Sequence, residues 1–350
     1  MRLSALLAAT ALSLAGPTIA AGSALSDLAA TLQPGTWAEL QTGNIDNALS
    51  DTRTGGVGHI LPYAEGIRWD PVSKKAYYIG SDDPGDGRRF VVYSEATNSW
   101  SVLPDPWSGT GVAHEYDLTD IDITNRVIYT VLPDGFLGKQ YNINTGTFSD
   151  MPSFPSMSYS CCEAAVHFPE AGGLLLLNKG TFYRLSDSSH SWSEFADGPT
   201  TSYHSVAEYN PTHKVVIFGG GNDTSRAFGK VASNGQVTTL RTPPIDLESP
   251  RVEITTDPAT GLYLVLEHGR RFYTYNVQTD TWTAQQTGSI PAAIWATEPD
   301  PGQLNTLATP IPEYGVIMYT TCMYDCTVFL YKHADRPTAP PSAPTGVNVQ

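Results

Sequence analysis

Asn210-Pro211-Thr212-His213-Lys214-Val215-Val216-Ile217-Phe218-Gly219-Gly220-Gly221 reads as a turn, a buried strand and a glycine run. The apolar part, 215–218, is too short for a core helix and carries the branched and aromatic residues of a buried strand. The same frame returns at 76–79, Val127–Leu132, 174–177, 262–266 and 316–319, at intervals of about 40 to 55 residues. A turn precedes each run: Asp70-Pro71, Thr124-Asn125, Glu170-Ala171-Gly172, Asp257-Pro258 and Pro312-Glu313 in the other five. A second strand follows each, then a polar turn and usually a Trp. Tyr93/Trp100, Tyr141/Phe148, Leu185/Trp192 and Tyr275/Trp282 all lie seven apart. A fixed period of this size marks a repeat architecture. One four-stranded unit cannot bury both its faces alone; packed against neighbours in a ring, it can.

The stretch from Tyr203-His204-Ser205 to Val215-Val216-Ile217-Phe218-Gly219-Gly220-Gly221 resembles the kelch repeat of β-propellers. The polar start of the inner strand, the hydrophobic second strand and the glycines carry the likeness, which covers roughly 36–334. It implies an all-β, six-bladed propeller. Seven blades would need a hidden repeat in 42–62 or 283–305, and neither has a clear apolar run. The sixth unit supplies Thr306–Ile311, 316–319 and 327–331, but no Trp strand follows. Thr36-Trp37-Ala38-Glu39-Leu40, at the front of the chain, is the strand expected to complete that blade. The likeness predicts architecture and leaves function open, since kelch propellers serve as enzymes, binders and scaffolds.

Residues 1–21 have a positive start, a short apolar stretch and small residues at Ala20-Ala21, the pattern of a secretory signal peptide. This predicts a secreted protein, extracellular or periplasmic, in an oxidising setting. A lead-in at 22–35, with a short helical turn near 25–32, precedes the propeller at 36–335. Residues 336–350 form a Pro-rich linker whose end, Pro341-Ser342-Ala343-Pro344-Thr345-Gly346-Val347-Asn348-Val349, resembles the opening strand of a fibronectin type III module. That resemblance implies further C-terminal domains on a monomer. The formal net charge is −15 and the few Lys and Arg are unclustered, which argues against nucleic acid and anionic membranes as partners.

Cys322 and Cys326 flank one tight turn and are expected to form a hairpin disulfide. Adjacent Cys161-Cys162 can form only a vicinal ring, stay as thiols or bind something.

In such a ring, the turns joining first to second and third to fourth strands share a lower rim, and here they read as ordinary turn chemistry. The upper rim, of between-blade crossings and second-to-third turns, is irregular and chemically richer. Its inner-strand approaches carry His59, Tyr63 and Glu65; His114, Glu115 and Tyr116; Tyr159, Cys161, Cys162 and Glu163; Tyr203 and His204; Glu248 and Arg251. Its turns add Asp82, Asp83, Asp86, Arg88 and Arg89, then Asn222-Asp223, then Glu267-His268-Gly269-Arg270. A His opening an inner strand often only bonds a neighbouring blade, but the whole set converging on one opening suggests a pocket.

Flat rings suit sugars, and Arg and acid groups suit hydroxyls and carboxylates. The expected ligand is therefore an extracellular, acidic polysaccharide. Cleavage by β-elimination would use Arg251 on the uronate carboxylate, His204 or His114 as base and Tyr203 or Tyr116 as acid. His59, Glu65, Tyr159, His268 and Arg270 would contact substrate. The alternative is a non-catalytic carbohydrate- or protein-binding module. Blades three and four also resemble galactose-oxidase-like radical-copper oxidases, through Cys161 or Cys162 followed by Tyr203. That family needs a second Tyr-His pair and a later His, and the chain lacks the pair. Asp82-Asp83-Pro84-Gly85-Asp86-Gly87 offers oxygen ligands to calcium without the spacing of an EF-hand loop. No cofactor is therefore assigned, with structural calcium and catalytic copper left open.

Overall fold

The computed structural model describes residues 22–50, 59–63, 65–80, 88–105, 107, 117–132, 137–155, 163–222, 224, 226–296, 302–322 and 325–335. Six four-stranded antiparallel sheets make up a six-bladed β-propeller. The inner strands of blades one to six are Arg68–Asp70, Thr119–Asp122, Ala165–Phe168, Ser205–Asn210, Val252–Thr256 and Thr306–Ile311. Each apolar run of the sequence falls in the second strand of its blade, with Leu262 alone standing just ahead of the strand Tyr263–Glu267. Among the described residues, the two stretches that might have hidden a seventh blade hold a short helix, Ile45–Leu49, and a 3-10 turn, Ala292–Trp295.

The second strands show why these runs are continuously apolar rather than alternating. Tyr77 and Ile79 pack into the core between blades one and two, while Ala76 and Tyr78 pack into the core between blades six and one. Leu174 and Leu176 likewise face blade two, and Leu175 and Leu177 face blade four. Val316 and Met318 turn to blade one, Ile317 and Tyr319 to blade five. Both faces of each sheet are thus buried. The six core clusters correspond to the six interfaces between neighbouring blades. Each fully buried Leu, Ile or Val contributes roughly 1.5–3 kcal/mol.

The residues seven apart are cross-strand partners: Tyr93 faces Trp100, Tyr141 faces Phe148, Leu185 faces Trp192 and Tyr275 faces Trp282. In blade six the strand Cys326–Lys332 finds its outer partner in Thr36–Leu40, antiparallel, with Trp37 opposite Tyr331. The preceding helix Ala24–Thr31 is capped by Ser23, whose hydroxyl accepts from the Ser26 amide at 3.0 Å. It buries Leu25 and Ala29 in the core between blades six and one.

The glycine run permits a close backbone approach. Gly220 has φ +76°, and a Cβ there would lie 1.8 Å from the Leu247 carbonyl oxygen. Gly221 donates its N–H to that same oxygen at 2.8 Å. A side chain at Gly220 would push away the segment that leads into blade five.

The Cys322–Cys326 disulfide is present, with Cα atoms 4.1 Å apart across the hairpin of blade six. Cys161 and Cys162 lie outside the described residues. Among the described residues no helix is long and apolar enough to cross a membrane.

Candidate functional site

The inner strands present one free edge to the axis, and its N–H groups need acceptors. Carboxylates from other blades supply them. Asp120 of blade two accepts from the His167 amide of blade three at 2.6 Å, and Glu253 of blade five accepts from the Ala308 amide of blade six at 2.7 Å. Asp117, at the approach to blade two, accepts from the Ala207 amide of blade four at 2.8 Å. Glu163 accepts from the Lys179 amide at 2.7 Å and from the Thr201 hydroxyl at 2.6 Å.

Arg68 of blade one stands among these acids. Its Nε donates to Asp120, and its Nη2 lies 3.6 Å from Asp117. Glu65, Glu208 and Glu253 share a cavity of about 10 Å³ with Arg68 and Asp117, room for one water at most. Five carboxyls around one guanidinium cannot all ionise cheaply. Burial pushes Asp117 up to about 7 and Glu208 up to about 8, against the opposing pull of Arg68. Burial and then Asp117 raise Glu65; burial and then Glu65 raise Glu253.

On the upper rim, blades four and five carry a polar surface. Tyr203 is 39% exposed, and its ring stacks on His204 with centroids 3.7 Å apart. His204 adopts φ +72°, and its Nδ1 lies 2.9 Å from Asn222 Oδ1. Glu248 Oε1 is 3.9 Å from the same nitrogen, and Glu248 Oε2 lies 3.6 Å from Nε of half-exposed Arg251.

In the neighbouring turn, Glu267 receives both forks of Arg271 at 2.7 Å and the Gly269 amide at 2.8 Å. His268 Nδ1 lies 2.8 Å from it. Burial alone would raise Glu267, but Arg271, His268 and the Gly269 amide hold it below its usual range. Arg270, with φ +60°, is exposed at the tip of this turn.

The structure therefore groups Tyr203, His204 and Arg251, with His268 and Arg270 on the next turn. His59 is buried and bridges to Ser50, beside the short helix Ile45–Leu49. Glu65 lies inside the channel rather than on the rim. His114, Glu115, Tyr116, Tyr159, Cys161, Cys162, Asp82, Asp83, Asp86 and Asp223 lie outside the described residues.

The sequence reading missed Arg68, Asp117, Glu208 and Glu253. Arg68, Glu208 and Glu253 share a signal: a charged residue among apolar neighbours on an inner strand, as in Val206-Ala207-Glu208-Tyr209 and Val252-Glu253-Ile254. Such a residue must face the axis or be paired.

The lower rim is also richer than its turn residues suggest. Its turns enclose a cavity of about 190 Å³ with an apolar wall and a polar floor. Nearby, His167 sits between Asp122 and Asp187, whose ligand-type atoms lie within 4.8 Å of one another. Asp122 already accepts from the Asn125 amide at 2.9 Å and from its side chain at 2.6 Å. His167 reaches both Asp187 oxygens at 3.3 Å. Burial opposes its protonation, but Asp187 and Asp122 outweigh that and raise its pKa. The cluster is a charged clamp between two blades.

No family model matches the chain, and no curated protein does. Among solved structures, a structural-genomics protein of unknown function from Bacteroides thetaiotaomicron VPI-5482 is similar to it. The TM-score is 0.55 at 10% identity, over 89% of this chain and 74% of that one. A chain of a nidogen/laminin complex gives 0.47 at 9% identity, over 65% and 81%. The first likeness shows the propeller fold alone.

Proposed function

We propose that this propeller is an exported glycan-recognition module that reads a saccharide on the upper rim of blades four and five. The observation that carries the reading is the exposed Tyr203 ring, held in place by stacking on His204. A fixed aromatic face beside hydrogen-bonding groups suits the apolar face and hydroxyls of a pyranose. Arg251, Glu248 and Arg270 supply those groups.

Arg251 is already close to Glu248, and Arg271 and His268 are close to Glu267. The rim charges are thus largely balanced, which favours hydroxyl recognition over dependence on an acidic sugar. A cleaving propeller would add His204 as base, Tyr203 as acid and Arg251 against a uronate carboxylate, releasing a product with a C4–C5 double bond. The Cys322–Cys326 disulfide suits the oxidising setting that export implies.

The test is a glycan array of neutral and uronate-containing oligosaccharides with the full chain, followed by titration calorimetry on Tyr203→Ala and Arg251→Ala. Saturable binding lost in Tyr203→Ala supports the module. New near-ultraviolet absorbance on uronates would add the lyase. An array without any hit would reject glycan recognition and favour a protein-binding propeller.

A further inference from the structure

The lower-rim cavity lies apart from the glycan surface, and every turn around it is described. Its wall is unusually uniform. Pro71, Pro169, Pro211, Pro310 and Pro312 line it, together with Ile121 and Ile123. Proline suits these turns for backbone reasons, yet the result is a preformed apolar collar that loses little entropy when filled. A space of about 190 Å³ accommodates roughly one six-membered ring or a branched alkyl group.

The floor is polar and unevenly charged. Arg68, Asp120, Glu208 and His167 face the cavity. Arg68 is engaged by Asp120 and Asp117, and His167 is clamped by Asp122 and Asp187. Glu208 is different. It lies deep in the ring but keeps contact with solvent through the cavity, and among the described residues its carboxylate makes no hydrogen bond and no ion pair within 4.0 Å. Arg68 acts on it only at longer range, against Asp120 and Asp117. One carboxyl without a counter-ion is left over at the bottom of an apolar cup, and a cation arriving there would favour its ionised form.

We propose that this cavity is a second ligand site, for a small monocation with an apolar body of about one ring, an aralkyl- or alkylammonium, whose charged end meets Glu208. The prolines and isoleucines cover the body, and the ammonium completes the hydrogen bonding of the carboxylate. An anion would meet Glu208 with Arg68 already occupied. A neutral alcohol of the same shape can donate one hydrogen bond but leaves the charge of the ionised carboxylate uncompensated. Burial of the carboxyl, with its raised proton affinity, is consistent with a group that lacks its counter-ion.

The experiment is calorimetric titration of the full chain with phenethylamine, cyclohexylmethylamine and isoamylamine, each beside the alcohol of the same skeleton. At least one amine should bind about tenfold or more tighter than its alcohol. Glu208→Gln, which keeps shape, should abolish that preference. Ile123→Trp should weaken amine and alcohol alike by narrowing the mouth; Ile123 is 48% exposed, so the ring should tolerate the change. Tyr203→Ala should leave amine binding unchanged, which separates this site from the glycan surface. Equal affinity of amine and alcohol, amine binding insensitive to Glu208→Gln, or no saturable binding of any amine up to about 10 mM would each overturn the proposal.

Discussion

Trp37 stands directly opposite Tyr331, their rings stacked at 23° with centroids 4.4 Å apart. This is the position that Trp282 takes opposite Tyr275 in blade five, at 4.6 Å. A pair that is local in sequence in the other blades is formed in blade six by the two ends of the propeller. Trp37 also packs on Tyr319, at 4.8 Å. Trp37→Ala should therefore cost about 2–4 kcal/mol, slightly below a fully enclosed aromatic deletion, measured by urea unfolding. Removing residues 22–42 should abolish the single cooperative transition. A truncated chain with wild-type melting would contradict closure by this strand.

The disulfide spans a sequence separation of only 4. A loop this short restrains the unfolded chain modestly, so the Cys322→Ala/Cys326→Ala double variant should lose about 2 kcal/mol and keep its fold. Circular dichroism and denaturant midpoints check both parts.

Gly220→Ala should destabilise far more than an ordinary surface change. The φ of +76° alone costs an L-residue about 1–3 kcal/mol, and the Leu247 carbonyl stands where the methyl would go. Gly35→Ala has a similar φ and nothing within 4 Å of the added carbon, so it isolates the conformational part. Equal losses at the two sites would show that the close approach contributes nothing.

Stability should depend on pH in a definite sense. Asp117 and Glu208 rise in the fold to about 7 and about 8, so the native state holds protons that the unfolded chain releases. Stability then falls as pH climbs from the unfolded carboxyl range through those values. His167, raised by Asp187 and Asp122 despite burial, adds stability below its unfolded value and loses it as pH rises through its folded one. Asp70, lowered by Arg126 and Ser73 against burial, and Glu267 act oppositely, losing their contribution only as strong acid protonates them. The melting temperature should peak near about pH 5 and decline towards about pH 8.5. Glu208→Gln should flatten that decline.

Arg68→Met should steepen it. Removing the guanidinium leaves its carboxylates buried and unpaired, at about 3–5 kcal/mol near neutrality. The loss should shrink in mild acid, where those groups are protonated. A penalty independent of pH would mean that Arg68 acts through packing.

The architecture was legible because burial on both faces removes the polar alternation from 174–177 and 316–319. The closing strand was legible because Trp37 had no local partner. The axis was not. Sequence period gives a residue's place within its blade but not which residues from other blades meet it across the ring. Sequence order puts Glu65 on the rim because it precedes an inner strand; the chain reaches the axis earlier than that rule implies. Pro71, Pro211 and Pro312 are legible in the sequence as turn formers, yet their convergence on one cup exists only once the ring is closed.

The hydrogen bond from the Ala207 amide to Asp117 passes across the axis from blade four to blade two, skipping blade three. With Arg68 and the acids around it, it acts as a bulkhead. Among the described residues this bulkhead stands between the lower-rim cup and the upper rim, and the cavity within it has room for one water at most. Arg68 and Glu208 belong to both the bulkhead and the lower cup, so a shift of charge or protons at the floor of that cup is felt directly within the bulkhead.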